Sequence, residues 1–139
     1  MKVVILSRYF PAYHPRKGEP TNFVKSYKAG GKIHTIRSNA KGYYKDGEMV
    51  SLRYWSGKPY CSKQVEIGQT RIGIESVSIK SGVCPVLFTN GYQRPLPQLA
   101  ENDGLSFGNF LDWFFPPNKP YCDFLGDILH FTDFRYGGE

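Results

Sequence analysis

The apolar positions fall into runs of distinct period, and each run predicts an element. Residues 2–10, KVVILSRYF, carry four consecutive aliphatic side chains and aromatics close behind, which predicts a buried first strand ended by Pro11. Residues 11–20 hold three prolines and a glycine and read as a loop, because proline brings no amide proton to a ladder and restricts the residue before it. Residues 21–31, TNFVKSYKAGG, predict a short helix with Thr21 as N-cap, Phe23, Val24 and Tyr27 on one side, and Gly30 or Gly31 at its end. Next comes KIHTIR, residues 32–37. In a strand Lys32 and Thr35 would point to opposite faces, whereas in a turn they share one, so a joint role for the pair requires a chain reversal at 31–34.

Further on, MVSLRYW (49–55) predicts a strand and SGKPY (56–60) a turn. In 63–80, Val65, Ile67, Ile72, Ile74, Val77 and Ile79 recur with polar residues between them, a period of two. Gly68 and Gly73 there mark bulges or bends of the kind a strongly curled sheet needs. CPVLFTNG (84–91) adds a short strand, and the proline-broken NGYQRPLPQ (90–98) reads as loop. Ser106 caps a helix whose Phe107, Phe110, Leu111 and Phe114 recur at i, i+3, i+4 and i+7 before Pro116. DILHFTDFRY (127–136) closes the chain as a strand with apolar residues on both faces, which suits a place inside a sheet. The sum is about six strands with two to three helices, a small α+β barrel-like fold in a single domain over 1–139.

Composition narrows the class. With 40% hydrophobic and 22% charged residues the chain reads as ordered and globular, and its 16% aromatic content fills a small core efficiently. No run approaches the roughly 18 apolar residues of a membrane span, and the start turns polar too early for a signal peptide, so a soluble cytoplasmic protein without a membrane partner is expected. Cys61, Cys84 and Cys122 contain no Cys-x-x-Cys pair, and with only His14, His34 and His130 beside them no metal site and no cofactor are expected.

Charge adds a direction. Residues 1–63 hold thirteen Lys or Arg against three Asp or Glu, while 64–139 hold five against nine. A basic surface interleaved with Tyr43, Tyr44, Tyr54, Trp55 and Tyr60 suits RNA or a nucleoside, since cations neutralise phosphate and rings stack on bases. Tyr43 and Trp55 are the stacking candidates. The alternative is that these rings belong to the core.

Residues 30–37, Gly-Gly-Lys-Ile-His-Thr-Ile-Arg, resemble the motif of the ASCH family, a PUA-like β-barrel group whose pattern runs Gly-x-Lys-x-x-Glu-x-Arg. Gly30, Lys32 and Arg37 match, and Thr35 stands at the Glu position. The small bacterial N4-acetylcytidine amidohydrolases of that family also place Thr there, within Ala-Gly-x-Lys-x-x-Thr-Ile-Arg, which 29–37 fits at every specified position. LAENDGLSFGNFLDWF is similar to the segment in which those enzymes carry an acid just before a helix, here Asp103, although they use Glu and a shorter spacing. The resemblance implies a PUA-like small mixed β-barrel and a site built from Lys32, Thr35 and Asp103.

The residues have their own chemistry. A threonine hydroxyl is a weak nucleophile unless a base takes its proton, and a buried lysine beside Arg37 loses basicity and can serve. Asp103 would then orient the ammonium, and the amides of Gly30 to Lys32 would form an oxyanion hole. His34, on the strand face opposite Thr35, would point away. The leading expectation is an RNA- or nucleoside-binding domain with a basic cleft around GGKIHTIR, where Gly30, Gly31, Arg37, Tyr43 and Trp55 contact ligand. The alternatives are an N4-acetylcytidine amidohydrolase with a Lys32/Thr35/Asp103 triad, and a phage or mobile-element protein acting through protein contacts, whose cleft would be filled by its own side chains.

Overall fold

The structure, a computed structural model, describes residues 1–39 and 41–137. Among them lie β1 (Lys2–Ile5), α1 (Phe23–Lys28), β2 (His34–Arg37), β3 (Met49–Trp55), β4 (Gln64–Arg71), β5 (Gly73–Lys80), β6 (Val86–Thr89), β7 (Tyr92–Arg94), α2 (Leu96–Asn102), α3 (Phe107–Phe114) and β8 (Phe124–His130). They make two open sheets. One has the order β1-β3-β4, with β1 parallel to β3; the other has the order β2-β8-β5-β6-β7 and is antiparallel throughout.

The fold is therefore mixed α+β with eight strands, and no closed barrel forms among the described residues. This corrects the expected six-stranded PUA-like barrel. The run 64–80 carries one continuous period-two signal, yet its first half pairs with β3 and its second half with β8 and β6. The chain leaves one sheet for the other at Ile72, so the backbone ladders stay separate. The expected bulge is present beside Gly68: Leu52 pairs with Gly68 and Arg53 with Glu66, which leaves Ile67 as the extra residue.

Alternation delivers the core. From β5, Val77 and Ile79 point inward; Val4 and Leu52 join them from the smaller sheet, Leu99 from α2 and Phe110 from α3, all in one buried cluster. Ile128 and Leu129 of β8 are both fully buried, as befits a strand flanked by β2 and β5 and covered on both faces.

The helices differ from expectation in instructive ways. Ser106 caps α3 as expected, accepting from the Asn109 amide at 3.2 Å, but Phe107 is 41% exposed and Phe110 alone is fully buried. Residues 90–98, read as loop, contain β7 and the start of α2. Pro97 does not break α2 because it occupies the first turn, where the missing amide proton has no partner to lose. The cap of α1 is Asn22 rather than Thr21, with φ 63° and no side-chain cap bond, although the Thr21 hydroxyl accepts from the Phe23 amide at 3.3 Å.

Candidate functional site

The turn expected at 31–34 is not formed: the chain turns at 29–30, closing α1, and β2 begins at His34. Gly30 adopts φ 83°, and Gly31 lies so close to Ser26 that a Cβ there would stand 2.9 Å from its hydroxyl. The amides of Gly30, Gly31 and Lys32 donate to the Tyr27, Ser26 and Ser26 carbonyls at 3.1, 2.8 and 3.2 Å. They are thus spent on closing the helix, and the oxyanion hole expected of them is not formed. Ile33 is then stitched on both sides: its amide donates to the Asn102 carbonyl and its carbonyl accepts from the Phe131 amide, each at 2.9 Å. The Lys32 side chain turns inward just before β2 begins.

There it meets Asp103, the C-cap of α2. The Lys32 ammonium donates to the Asp103 carbonyl at 2.7 Å and to its Oδ1 at 3.2 Å, with both side chains buried. Gly104, at φ 87°, completes the fit, since a Cβ at that position would come within 3.2 Å of Lys32 Cβ. Burial pulls the Lys32 ammonium below the ordinary lysine range, opposed by Asp103 and reinforced by the Arg37 charge. Burial alone would raise the Asp103 carboxyl, but Lys32 and His34 outweigh it and hold the group below the usual carboxylate range.

Lys32, Thr35, Arg37 and Asp103 wall one inner hollow, together with Leu6, Ser7, Phe23, Ile36, Trp113 and Phe114. Its volume is about 30 Å³, room for little more than a water molecule. Among the described residues the Lys32 ammonium bonds Asp103 and not the Thr35 hydroxyl. Arg37 is also committed to the fold: its guanidinium donates to the Ile5 carbonyl and ties β2 to β1.

His34 does not point away. Its Nδ1 stands 3.4 Å from Asp103 Oδ1, and its Nε2 lies 2.7 Å from the Tyr136 hydroxyl, which also accepts from the Asn102 amide nitrogen at 3.0 Å. Behind it, His130 Nε2 lies 2.8 Å from Glu75 Oε1, and the Tyr136 and Gly137 amides donate to the same carboxylate at 3.0 and 2.7 Å. Burial pulls His130 down to about 4, with Glu75 opposing it. The Lys32–Asp103 pair is thus backed by a buried polar wall in which the chain's last described residues take part. Sequence reading missed His34 and Tyr136 as members of this site.

A second, outer hollow lies against the first. It is open, encloses about 710 Å³, and is lined by Arg8, Tyr9, Pro20, Asn22, Phe23, Val24, Lys25, Lys28, Ala29 and Tyr54. No carboxylate lines it, and neither Lys25 nor Lys28 forms an ion pair among the described residues. Arg8 is preset: its Nη1 donates to the Trp55 and Ser56 carbonyls at 3.3 and 3.1 Å, and its guanidinium carbon lies 5.5 Å from the Tyr9 ring centroid and 5.2 Å from that of Tyr54. Phe23 lines both hollows.

No family model, curated protein or solved structure matches the chain. The expected site residues therefore stand on their positions alone. Lys32, Thr35, Arg37 and Asp103 converge, and Gly30 and Gly31 shape the turn that delivers them. The two stacking candidates do not join them. Tyr43 lies near the chain start with its ring 4.5 Å from the Lys2 ammonium, and Trp55 packs its ring on Tyr60 at 5.2 Å, contributing only its carbonyl to Arg8. The aromatic side chains that do line the outer hollow are Tyr9, Phe23 and Tyr54. Among the described residues no group of three or more His, Cys, Asp or Glu could hold a metal, and no helix is long and apolar enough to cross a membrane.

Proposed function

We propose that the protein binds RNA or a modified nucleoside in the outer hollow, with the Lys32 hollow as its inner end. The observation that carries this reading is the lining itself. A cavity of about 710 Å³, within the roughly 300–1,000 Å³ common for ligand pockets, brings together three cations, two tyrosines and Phe23 without a carboxylate. Cations pair with phosphate and rings stack on bases, so this lining suits single-stranded nucleic acid. The likeness of 29–37 to the ASCH motif supports the same reading. The test is fluorescence anisotropy with a short single-stranded RNA. Binding that weakens as salt rises and falls about tenfold in Tyr54→Ala is expected, a stacked base being worth about 1–3 kcal/mol. No binding at micromolar protein and low salt overturns it.

A second reading, an N4-acetylcytidine amidohydrolase, is favoured by the convergence of Lys32, Thr35 and Asp103 on one hollow. Thr35 would attack the acetyl carbonyl as Lys32, its ammonium disfavoured by burial, takes the hydroxyl proton and passes it to the leaving cytidine nitrogen as the C–N bond breaks; water would then cleave the acetyl-threonine ester to acetate. Hydrolysis of N4-acetylcytidine by the purified protein, lost in Lys32→Ala and Thr35→Ala, is the expected result; no turnover at micromolar protein removes this reading. Action through protein contacts alone requires a cleft filled by its own side chains. The inner hollow nearly meets that condition, and the outer one does not.

A further inference from the structure

Among the described residues Phe23 alone lines both hollows. On its inner side the Lys32 ammonium lies 4.1 Å from its ring centroid and the Trp113 ring 5.6 Å away, in a space of about 30 Å³; on its outer side about 710 Å³ stand open. Phe23 is 6% exposed, a buried residue at the place where the two hollows meet. Its side chain belongs to the buried core cluster, and its backbone begins a helix. It is the first residue of α1 and follows Asn22, which holds the left-handed region without a glycine's freedom and makes no side-chain cap bond.

We infer that Phe23 is a specificity-determining partition: a ligand held in the outer hollow reaches Lys32, Thr35 and Asp103 only when the Phe23 ring turns outward, and only with a small uncharged polar group. The size limit follows from the inner volume. The charge limit follows from the pairing within, because Lys32 and Asp103 hold each other and Arg37 is held by the Ile5 carbonyl, so a charged group would have to displace one of these, whereas a neutral one meets the Thr35 hydroxyl, which Lys32 does not bond. What fills the outer hollow rests on the nucleic-acid reading above; the partition does not.

The test is pulse labelling of the intact protein with acetic anhydride, followed by peptide mass spectrometry. In the wild type Lys25 and Lys28 should be acetylated at least about 100-fold faster than Lys32. Phe23→Ala should raise Lys32 labelling at least about tenfold while leaving Lys80, exposed at the end of β5 and lining neither hollow, unchanged, and Phe23→Leu should raise it less. Circular dichroism and the urea midpoint identify the folded variants, with Ile79→Ala, at a core position that lines neither hollow, as the control for general loosening. A folded Phe23→Ala or Phe23→Leu in which Lys32 labels as in the wild type overturns the inference. So does an equal rise in Ile79→Ala, which would mean that Lys32 is reached by general opening of the fold. Failure of RNA to bind leaves these labelling outcomes intact, and a ligand-binding protein whose Lys32 labelling ignores position 23 loses the partition alone.

Discussion

The inner and outer hollows touch across a single aromatic ring yet use their charges in opposite ways. In the inner hollow Lys32 spends its ammonium on Asp103, and Arg37 spends its guanidinium on the Ile5 carbonyl. In the outer hollow Arg8 is braced by backbone carbonyls and two rings, while Lys25 and Lys28 remain without a carboxylate partner among the described residues. A basic sequence therefore does not identify its ligand-facing cations by count. Lys2 and Arg16 of the same basic stretch pair with Glu48 and Glu19. Which cations stay available is decided by where the few acids fall in space.

The contrast predicts opposite consequences for substitution. The largest effect belongs to the inner hollow. Asp103→Ala leaves the Lys32 charge buried without its partner and should cost about 3–5 kcal/mol in urea unfolding, whereas Lys32→Met combined with Asp103→Leu should recover most of that loss. A loss below about 1 kcal/mol for Asp103→Ala would show that the pair is not structural.

Acid should act on the wall behind that pair. His130 titrates near 4 in the folded protein, below its usual 6.5, so the unfolded chain binds more protons between those values and stability must fall as pH drops through that window. At about 1.4 kcal/mol per pKa unit the loss reaches a few kcal/mol, and His130→Asn should flatten it. Asp103 and Glu75 sit below their ordinary carboxylate values; their contribution is present above those values and is lost only as pH falls further, through the folded ones. Urea midpoints at stepped pH give the comparison. A flat profile from pH 6.5 to 4 would contradict the wall as described.

The outer hollow should show the reverse balance. Lys25→Ala and Lys28→Ala should change stability by less than about 0.5 kcal/mol, as exposed substitutions usually do, yet each should lower the salt dependence of RNA affinity by about one unit of log–log slope. If either destabilised the fold as Asp103→Ala does, the division of labour would fail.

Local signals were legible and distant ones were not. Ser106 and the apolar spacing of α3 announced that helix because cap and stripe lie within one short segment. The end of α1 was likewise written into two adjacent glycines, whereas the turn required at 31–34 lies at 29–30 instead. His34 was misjudged because a strand's alternation says which side a residue faces but not what waits there, and its partner Tyr136 lies 102 positions away. Tyr54 and Trp55 illustrate the same limit: adjacent strand residues face opposite ways, and only one lines the hollow. The barrel failed for a related reason, since period two marks strands without saying which ladder each joins.

The passage at Ile72 gives that last point a practical edge. With one buried residue between β4 and β5, the two sheets share a splice rather than a loop, and no slack exists to absorb an error in length. Inserting a single residue there would turn β5 over, pushing Val77 and Ile79 into solvent and drawing Ser78 and Lys80 toward the interior. Indels of any odd size should therefore be far less tolerated at this splice than anywhere in the 56–63 turn.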